Sequence, residues 1–283
     1  MSNPLVLTTV AEVESWADQN LTPIAAVLTM GALHQGHAEL AKFAKAHTPS
    51  GTRVIATIFV NPTQFNNASD LESYPRDLDS DLATLQTAGV DAVFVPTVSE
   101  IYPNGPEVNP PMEPGLIGDV LEGKARPGHF RGMLTVVQKF LAITHADYSF
   151  FGEKDFQQLT LVKAMVNDTK MPIEIVGVPT VRDEFGLALS SRNRRLSAIG
   201  VEQARLIPLA MQKTAEVFLT SGSASEAEAA GKNILIESGQ FEIEYFEIKS
   251  NDLVSAPTLE SARVFVAVNL EDVRLIDNLE IAK

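Results

Sequence analysis

Five short apolar runs recur along the first 180 residues, at 25–28, 54–60, 92–95, 147–151 and 173–178. Runs of that length, rich in Val, Ile, Phe and Ala, suit strands covered on both faces. Between and after them lie segments with helical spacing, at 36–46, 80–87, 132–144 and 156–169. Strands alternating with helices leave few architectures open. They predict an α/β fold with a doubly wound, Rossmann-like parallel sheet. In such sheets ligands bind at the carboxyl ends of the strands. The loops at 30–37, 61–65 and 152–155 are therefore expected to be neighbours. A further helix is expected over 9–20, with Thr9 as its cap and Glu12 completing a capping box. Residues 104–114 hold four prolines and read as an irregular excursion or an edge hairpin. Past residue 179 the pattern changes to two helices, 197–219 and 224–237, and three strands, 242–249, 263–270 and 273–276. This predicts a nucleotide-binding domain over 1–180 and a smaller α+β domain over 181–283, read as a lid. The hinge is expected near 178–181.

Composition narrows the function. The chain has 22 Lys and Arg against 36 Asp and Glu, a net charge of −14. Such a chain repels a nucleic-acid backbone, which disfavours nucleic acid as a partner. It has no cysteine, so disulfides, thiolate metal sites and thiol nucleophiles are excluded. No apolar run approaches membrane-spanning length, and no signal peptide is visible. The expectation is a cytoplasmic protein with no membrane partner.

The first apolar run leads into TMGALHQGHAEL. Gly31 suits a tight turn, and Gly36 opens the following helix. His34 and His37, three residues apart, share one face of its first turn. A helix N-terminus offers unpaired N–H groups and partial positive charge to phosphate. This H-x-G-H pattern resembles the phosphate-binding motif of nucleotidyltransferases and class I aminoacyl-tRNA synthetases. Two surface histidines at a helix start remain an alternative. Zinc lacks an obvious third ligand, and no G-x-G-x-x-G follows the strand. In NPTQF, Gln64 can read a hydroxyl or carboxylate without adding charge, or simply satisfy a turn. In GEKDFQQL, Lys154 suits phosphate and Asp155 ribose hydroxyls, but a solvated helix start fits equally. In LALSSRNRRLS, Ser190, Ser191 and Arg192 could bind phosphate oxygens. Alternatively the stretch is an exposed basic cap, with Ser197 opening the next helix. In GKARPGHFRGM, Arg126, His129 and Arg131 could contact phosphate or anchor a loop.

Taken in order, TMGALHQGH, FVNPTQF, YPRDLDSDL, EIYPNG, EGKARPGHFRGMLTVV, FGEKDFQQL, EIVGVPTVRDEFGLALSSRN and RLIDN resemble the pantothenate synthetase (pantoate–β-alanine ligase) family over nearly the whole chain. Leu28 stands where that family usually has proline. Ser80 interrupts a run that is often more acidic, which weakens any metal assignment there. The resemblance implies ATP-dependent condensation of (R)-pantoate with β-alanine through a pantoyl-adenylate, giving pantothenate, AMP and pyrophosphate. It implies an ATP site from Met30, Gly31, Ala32, Leu33, His34, Gln35, Gly36 and His37, from Gly152, Glu153, Lys154 and Asp155, and from Val181, Leu189, Ser190, Ser191 and Arg192. Pantoate would lie against Gln64 and Gln158, with Gln64 also serving β-alanine. His37 matches the proton donor, with His34, Lys154 and Arg192 completing the catalytic set. Mg2+ is expected with ATP, held mainly by phosphate oxygens, and the family implies a homodimer. Two rivals stand beside this reading: a nucleotidyltransferase, which would not need both glutamines, and a non-catalytic nucleotide sensor, against which the joint presence of His34, His37, Lys154, Ser190, Ser191 and Arg192 argues.

Overall fold

The structure is a computed structural model that describes residues 3–19, 22–65, 71–72 and 74–282. The chain divides into two compact units. The first comprises Met1–Gly118, Arg126–Glu153 and Gln158–Pro179. The second comprises Asp119–Ala125, Lys154–Gln157 and Thr180–Lys283.

The first unit is built on six parallel strands: β1 (Leu5–Leu7), β2 (Ile24–Thr29), β3 (Arg53–Ile58), β4 (Ala92–Phe94), β5 (Tyr148–Gly152) and β6 (Glu174–Val178). Their order is β1-β4-β3-β2-β5-β6. The chain moves one way across the sheet from β2 to β4 and the other way from β5 to β6. β2 and β5 therefore flank the topological switch point, where ligands enter such sheets. Sheet faces alternate along each strand. Ile24 and Ala26 of β2 and Ile55 of β3 enter one core with α1 (Val10–Asp18), α4 (His129–Ile143) and α5 (Phe156–Thr169). Ala25, Val27, Val54 and Ala56 enter the other with α2 (Gln35–Ala46) and α3 (Leu78–Thr87). The doubly wound expectation holds. The capping box at Thr9 and Glu12 is also present.

Three local readings differ. β1 was not legible, because it has only three residues and two of them, Leu5 and Val6, are exposed. No strand forms in residues 103–114, so the excursion is irregular rather than a hairpin. β3 stops at Ile58, and residues 59–60 carry no ladder.

The second unit packs α6 (Ala198–Ala204), α7 (Leu206–Ser221) and α8 (Ala224–Ser238) with an antiparallel sheet, β7 (Glu242–Lys249), β8 (Arg263–Leu270) and β9 (Val273–Glu280), in the order β7-β8-β9. Its core joins Ala204, Met211, Phe218 and Leu235 to Phe246, Val264, Val266 and Val268. The single helix expected over 197–219 is two helices that meet at Arg205. Pro208 explains the break: it has no N–H to give the carbonyl of Ala204, and its ring clashes with that turn. β9 continues beyond residue 276 because Asp277 and Asn278, polar in the sequence, are buried.

Candidate active site

β2 ends at Thr29, whose hydroxyl donates to the carbonyl of Thr57 at 2.6 Å and accepts from the amide of Gly31 at 3.2 Å. The chain then makes a left-handed turn, with φ of 79° at Gly31 and 52° at Ala32. A Cβ at Gly31 would lie 2.9 Å from Oδ2 of Asp81. Glycine is thus required twice there, by conformation and by space. Asp81, buried on α3, takes the amides of Ala32 and Leu33 on its two carboxylate oxygens at 3.0 and 2.6 Å. Sequence reasoning missed Asp81. It reads as one acid among several in YPRDLDSDL, and only its inward position on α3 marks it.

The turn delivers His34 to the N-cap of α2. Nδ1 of His34 accepts the amide of Gly36 at 3.1 Å, and Nδ1 of His37 accepts the amide of His34 at 3.3 Å. The two rings lie 4.2 Å apart between centroids. A backbone N–H can only donate, so both Nδ1 atoms are unprotonated acceptors. In the neutral rings the proton therefore sits on Nε2. Two Nε2–H donors at the N-terminus of a 12-residue helix form a polar pair suited to phosphate.

Beside β2 in the sheet, β3 leads into a 3-10 turn, Pro62–Gln64, capped by the side chain of Asn61. Asn61 is buried; its amide donates to Oε1 of Gln64 at 3.0 Å and to the carbonyl of Gly132 at 3.2 Å. Tyr102 donates to Oδ1 of Asn61 at 2.9 Å. Burial pushes the Tyr102 phenol up, against the pull of Thr63 and Asn61. A Cβ at Gly132 would meet the carbonyl oxygen of Thr63 at 2.1 Å, so only glycine lets α4 approach this turn. Nδ1 of His129 lies 2.9 Å from the carbonyl of Gln64, and Nη1 of Arg126 lies 3.2 Å from Nε2 of His129. Arg126 and His129 thus meet each other and the Gln64 carbonyl, while Nη2 of Arg131 lies 3.3 Å from Glu113. With Oε1 held by Asn61, the remaining polar group of Gln64 is its NH2, a donor. Asn61 and Tyr102 went unnoticed as parts of this site, although Asn61 stands in the NPTQF motif.

On the other side of β2, β5 ends at Gly152, and Glu153 follows in a short 3-10 turn. The carboxyl ends of β3, β2 and β5 are adjacent, so the Asn61–Gln64 turn, the histidine turn and Gly152 share one edge of the sheet. Gln158, half-buried on α5, has no side-chain hydrogen bond among the described residues. Its neighbour Gln157 is committed elsewhere: its side chain donates to the carbonyl of Val120 at 2.8 Å and accepts from the amide of Glu122 at 3.0 Å, within the second unit.

The second unit carries Lys154, Asp155, Val181, Leu189, Ser190, Ser191 and Arg192. Residues 181–189 form a small hairpin, with the amide of Leu189 donating to the carbonyl of Val181 at 2.9 Å and a bridge between Arg182 and Ala188. Leu187 and Ala188 are buried. The stretch that leads to Ser190, Ser191 and Arg192 is thus pinned at its start. Ser190 caps a 3-10 turn, Ser191–Arg195, through the amide of Arg192 at 3.2 Å. The Arg192 guanidinium is half-buried and has no hydrogen-bond or ion-pair partner among the described residues. Ser197 caps α6, as the alternative reading expected.

The family model for pantoate-beta-alanine ligase matches residues 5–280. The chain belongs to the pantoate–β-alanine ligase family. A pantothenate synthetase of Mycolicibacterium smegmatis is 47% identical over 258 residues, 91% of this chain and 80% of that one. One from Cereibacter sphaeroides is 45% identical over 284 residues, 98% of this chain and 100% of its own. Among solved structures, a pantothenate synthetase from Thermus thermophilus superposes with a TM-score of 0.91 at 40% identity, over 99% of this chain and 100% of that one. The ligase from Francisella tularensis, solved with beta-gamma ATP and beta-alanine, gives 0.81 at 36% identity over 98% of both chains. This ligase is therefore an enzyme of the same fold and family.

Proposed function

We propose that this enzyme joins (R)-pantoate to β-alanine through a pantoyl-adenylate, with ATP bound along residues 30–37, at Gly152–Asp155 and at Val181 and Leu189–Arg192. The observation that carries the site is the histidine pair at the start of α2, each ring accepting a backbone amide through Nδ1. Pantoate's carboxylate attacks the α-phosphorus; the bond to the bridging oxygen breaks, and pyrophosphate leaves. The β-alanine amine then attacks the acyl carbon and AMP leaves. Both steps shift negative charge onto phosphate oxygens, so fixed donors stabilise the transition state. His37 and His34 supply such donors, and His37 is the proton donor of the set. Lys154 and Arg192 supply charge. The NH2 groups of Gln64 and Gln158 hold pantoate, and Gln64 also meets β-alanine.

Mg2+ supplies charge neutralisation when it enters with ATP. No group of three or more His, Asp or Glu among the described residues could hold a metal. Phosphate oxygens are the ligands expected for it, the usual habit of Mg2+ at nucleotides. On the family resemblance the enzyme is a homodimer, which a monomer mass in light scattering would refute. The sequence reading makes it cytoplasmic, which fractionation of the source cells checks.

The direct test is His37→Ala. Pantoate-dependent exchange of pyrophosphate into ATP should fall by about 100-fold or more, the scale of losing one transition-state donor. Exchange near the unsubstituted rate would remove His37 from the chemistry. The second unit is proposed to act as a lid over ATP through residues 189–192, which gain phosphate partners only with nucleotide bound. Amide exchange at Ser190 and Ser191 should be fast in the free enzyme and slow with ATP and magnesium. Equal protection in both states would rule the lid out.

A further inference from the structure

Lys154 stands in a three-residue 3-10 turn, Glu153–Asp155, directly after β5. Such a turn has few internal hydrogen bonds to fix it. One contact that fixes it comes from 124 residues further on. The side-chain amide of Asn278, on β9, donates to the carbonyl oxygen of Lys154 at 2.8 Å. Asn278 is 2% exposed. Its Oδ1 accepts from Nη1 of Arg263 at 2.6 Å, and its backbone amide donates to Oδ1 of Asp277 at 2.7 Å. The amide orientation is determined by chemistry: a guanidinium only donates and a carbonyl only accepts, so Asn278 cannot be flipped.

Asp277 is anchored with equal care. Arg182 grips it through both guanidinium nitrogens, at 2.7 and 2.9 Å. The same guanidinium donates to the carbonyls of Asn278 and Gly186, each at 2.9 Å. Gly186 is the tip of the hairpin that leads to Ser190, Ser191 and Arg192. A buried polar group costs stability unless it is paired, and the paired contacts of Asn278 and Asp277 hold both in place. An apolar pair at these two β9 positions would serve the core as well. It would leave the Lys154 carbonyl without this donor.

We propose that Asn278 is a positioning residue for the ligase reaction, holding Lys154 at the phosphates through the Lys154 carbonyl, with Asp277 and Arg182 fixing Asn278 in turn. The inference rests on the reading of Lys154 as a phosphate-binding cation. No substrate atom touches Asn278 in this scheme.

The test is a double-mutant cycle in the full-length enzyme. Asn278→Asp keeps the shape and removes the donor. It should lower kcat/KM for ATP in pyrophosphate exchange by 10- to 100-fold, the scale of a misplaced catalytic group, while direct binding of pantoate is unchanged. In a Lys154→Ala background the same substitution should change the rate by less than about 2-fold, because partners that act as one unit are not additive. A full further loss in that background would show a general structural role and overturn the proposal. So would an undiminished rate in Asn278→Asp while Lys154→Ala is impaired. An unimpaired Lys154→Ala would instead refute the reading of the site, and this inference with it. If Asn278→Asp does not melt cooperatively, Asn278→Ser, smaller and uncharged, takes its place in the cycle under the same criteria.

Discussion

His34 and His37 illustrate how much a single proton's position decides. Each ring uses Nδ1 to satisfy a backbone amide at the start of α2, and that choice leaves the neutral ring's proton on Nε2. The same accounting applies to the glutamines. Gln64 is held by Asn61 through its oxygen, which fixes its orientation and presents its NH2 as a donor. Gln158 has no partner among the described residues and keeps both its donor and its acceptor. Gln158→Ala should therefore weaken pantoate binding without disturbing the fold. Losing one neutral hydrogen-bonding partner costs roughly 1–3 kcal/mol. Calorimetric titration of pantoate should show that loss, with ATP affinity nearly unchanged. Equal weakening of both ligands would mean that the start of α5 had shifted instead.

At the scale of elements, the cap of α6 makes a testable link between a turn and a helix. Ser197 donates its amide to Oε2 of Glu271 at 2.7 Å and its hydroxyl to Oε1 at 2.5 Å, while that hydroxyl accepts the amide of Gly200 at 3.0 Å. Glu271 lies in the turn between β8 and β9. The Ser197 hydroxyl and amide hold its carboxyl below the ordinary 4.5. A lowered carboxyl pKa stabilises the folded form at pH values above the unfolded value. That contribution disappears as pH falls through the folded pKa. Protection of the Ser197 and Gly200 amides should accordingly fall below about pH 4.5, and Glu271→Gln should flatten that response. An unchanged acid response in Glu271→Gln would assign the effect elsewhere. Ser197 was legible as a cap from its place before an apolar run; Glu271, 74 residues away, was not. The same contrast runs through the molecule. β2, α2, β3 and α5 were legible because each carries its own periodicity. β1 has too few residues for one, and the division of 197–219 turned on Pro208 alone. Around the candidate site, His34, His37 and Gln64 announced themselves by motif. Asp81, Tyr102 and Asn278 did not, because each acts through a contact made across long sequence separation.

The second unit is assembled from three stretches of chain, and the short ones supply buried partners to the long one. Glu122, in the segment Asp119–Ala125, takes both terminal nitrogens of Arg274 at 2.9 and 2.6 Å and the hydroxyl of Tyr245 at 2.7 Å. Burial and the adjacent Glu122 carboxylate push the Tyr245 phenol well above its ordinary value, so it stays a neutral donor. Lys154, in the other short segment, offers its carbonyl to Asn278. Phe156 lies under the guanidinium of Arg263 at 3.9 Å. A chain cut to residues 180–283 retains α6 to α8 and β7 to β9, and a contiguous apolar core around Phe218, Phe246 and Val266. It loses Glu122, Lys154 and Phe156 together. Each buried polar group left without its partner costs about 1–3 kcal/mol, and a domain of this size has only about 5–15 kcal/mol in hand. Two such groups, the Tyr245 hydroxyl and the Asn278 amide, are orphaned outright, while Arg274 keeps only Glu244. The fragment should therefore show helical circular dichroism with a broad, low-temperature melt and poorly dispersed amide resonances. Tyr245→Phe, which removes one orphan, should recover part of the cooperativity. A fragment that melts sharply, near the temperature of the full chain, would mean that the short segments contribute nothing the long one needs.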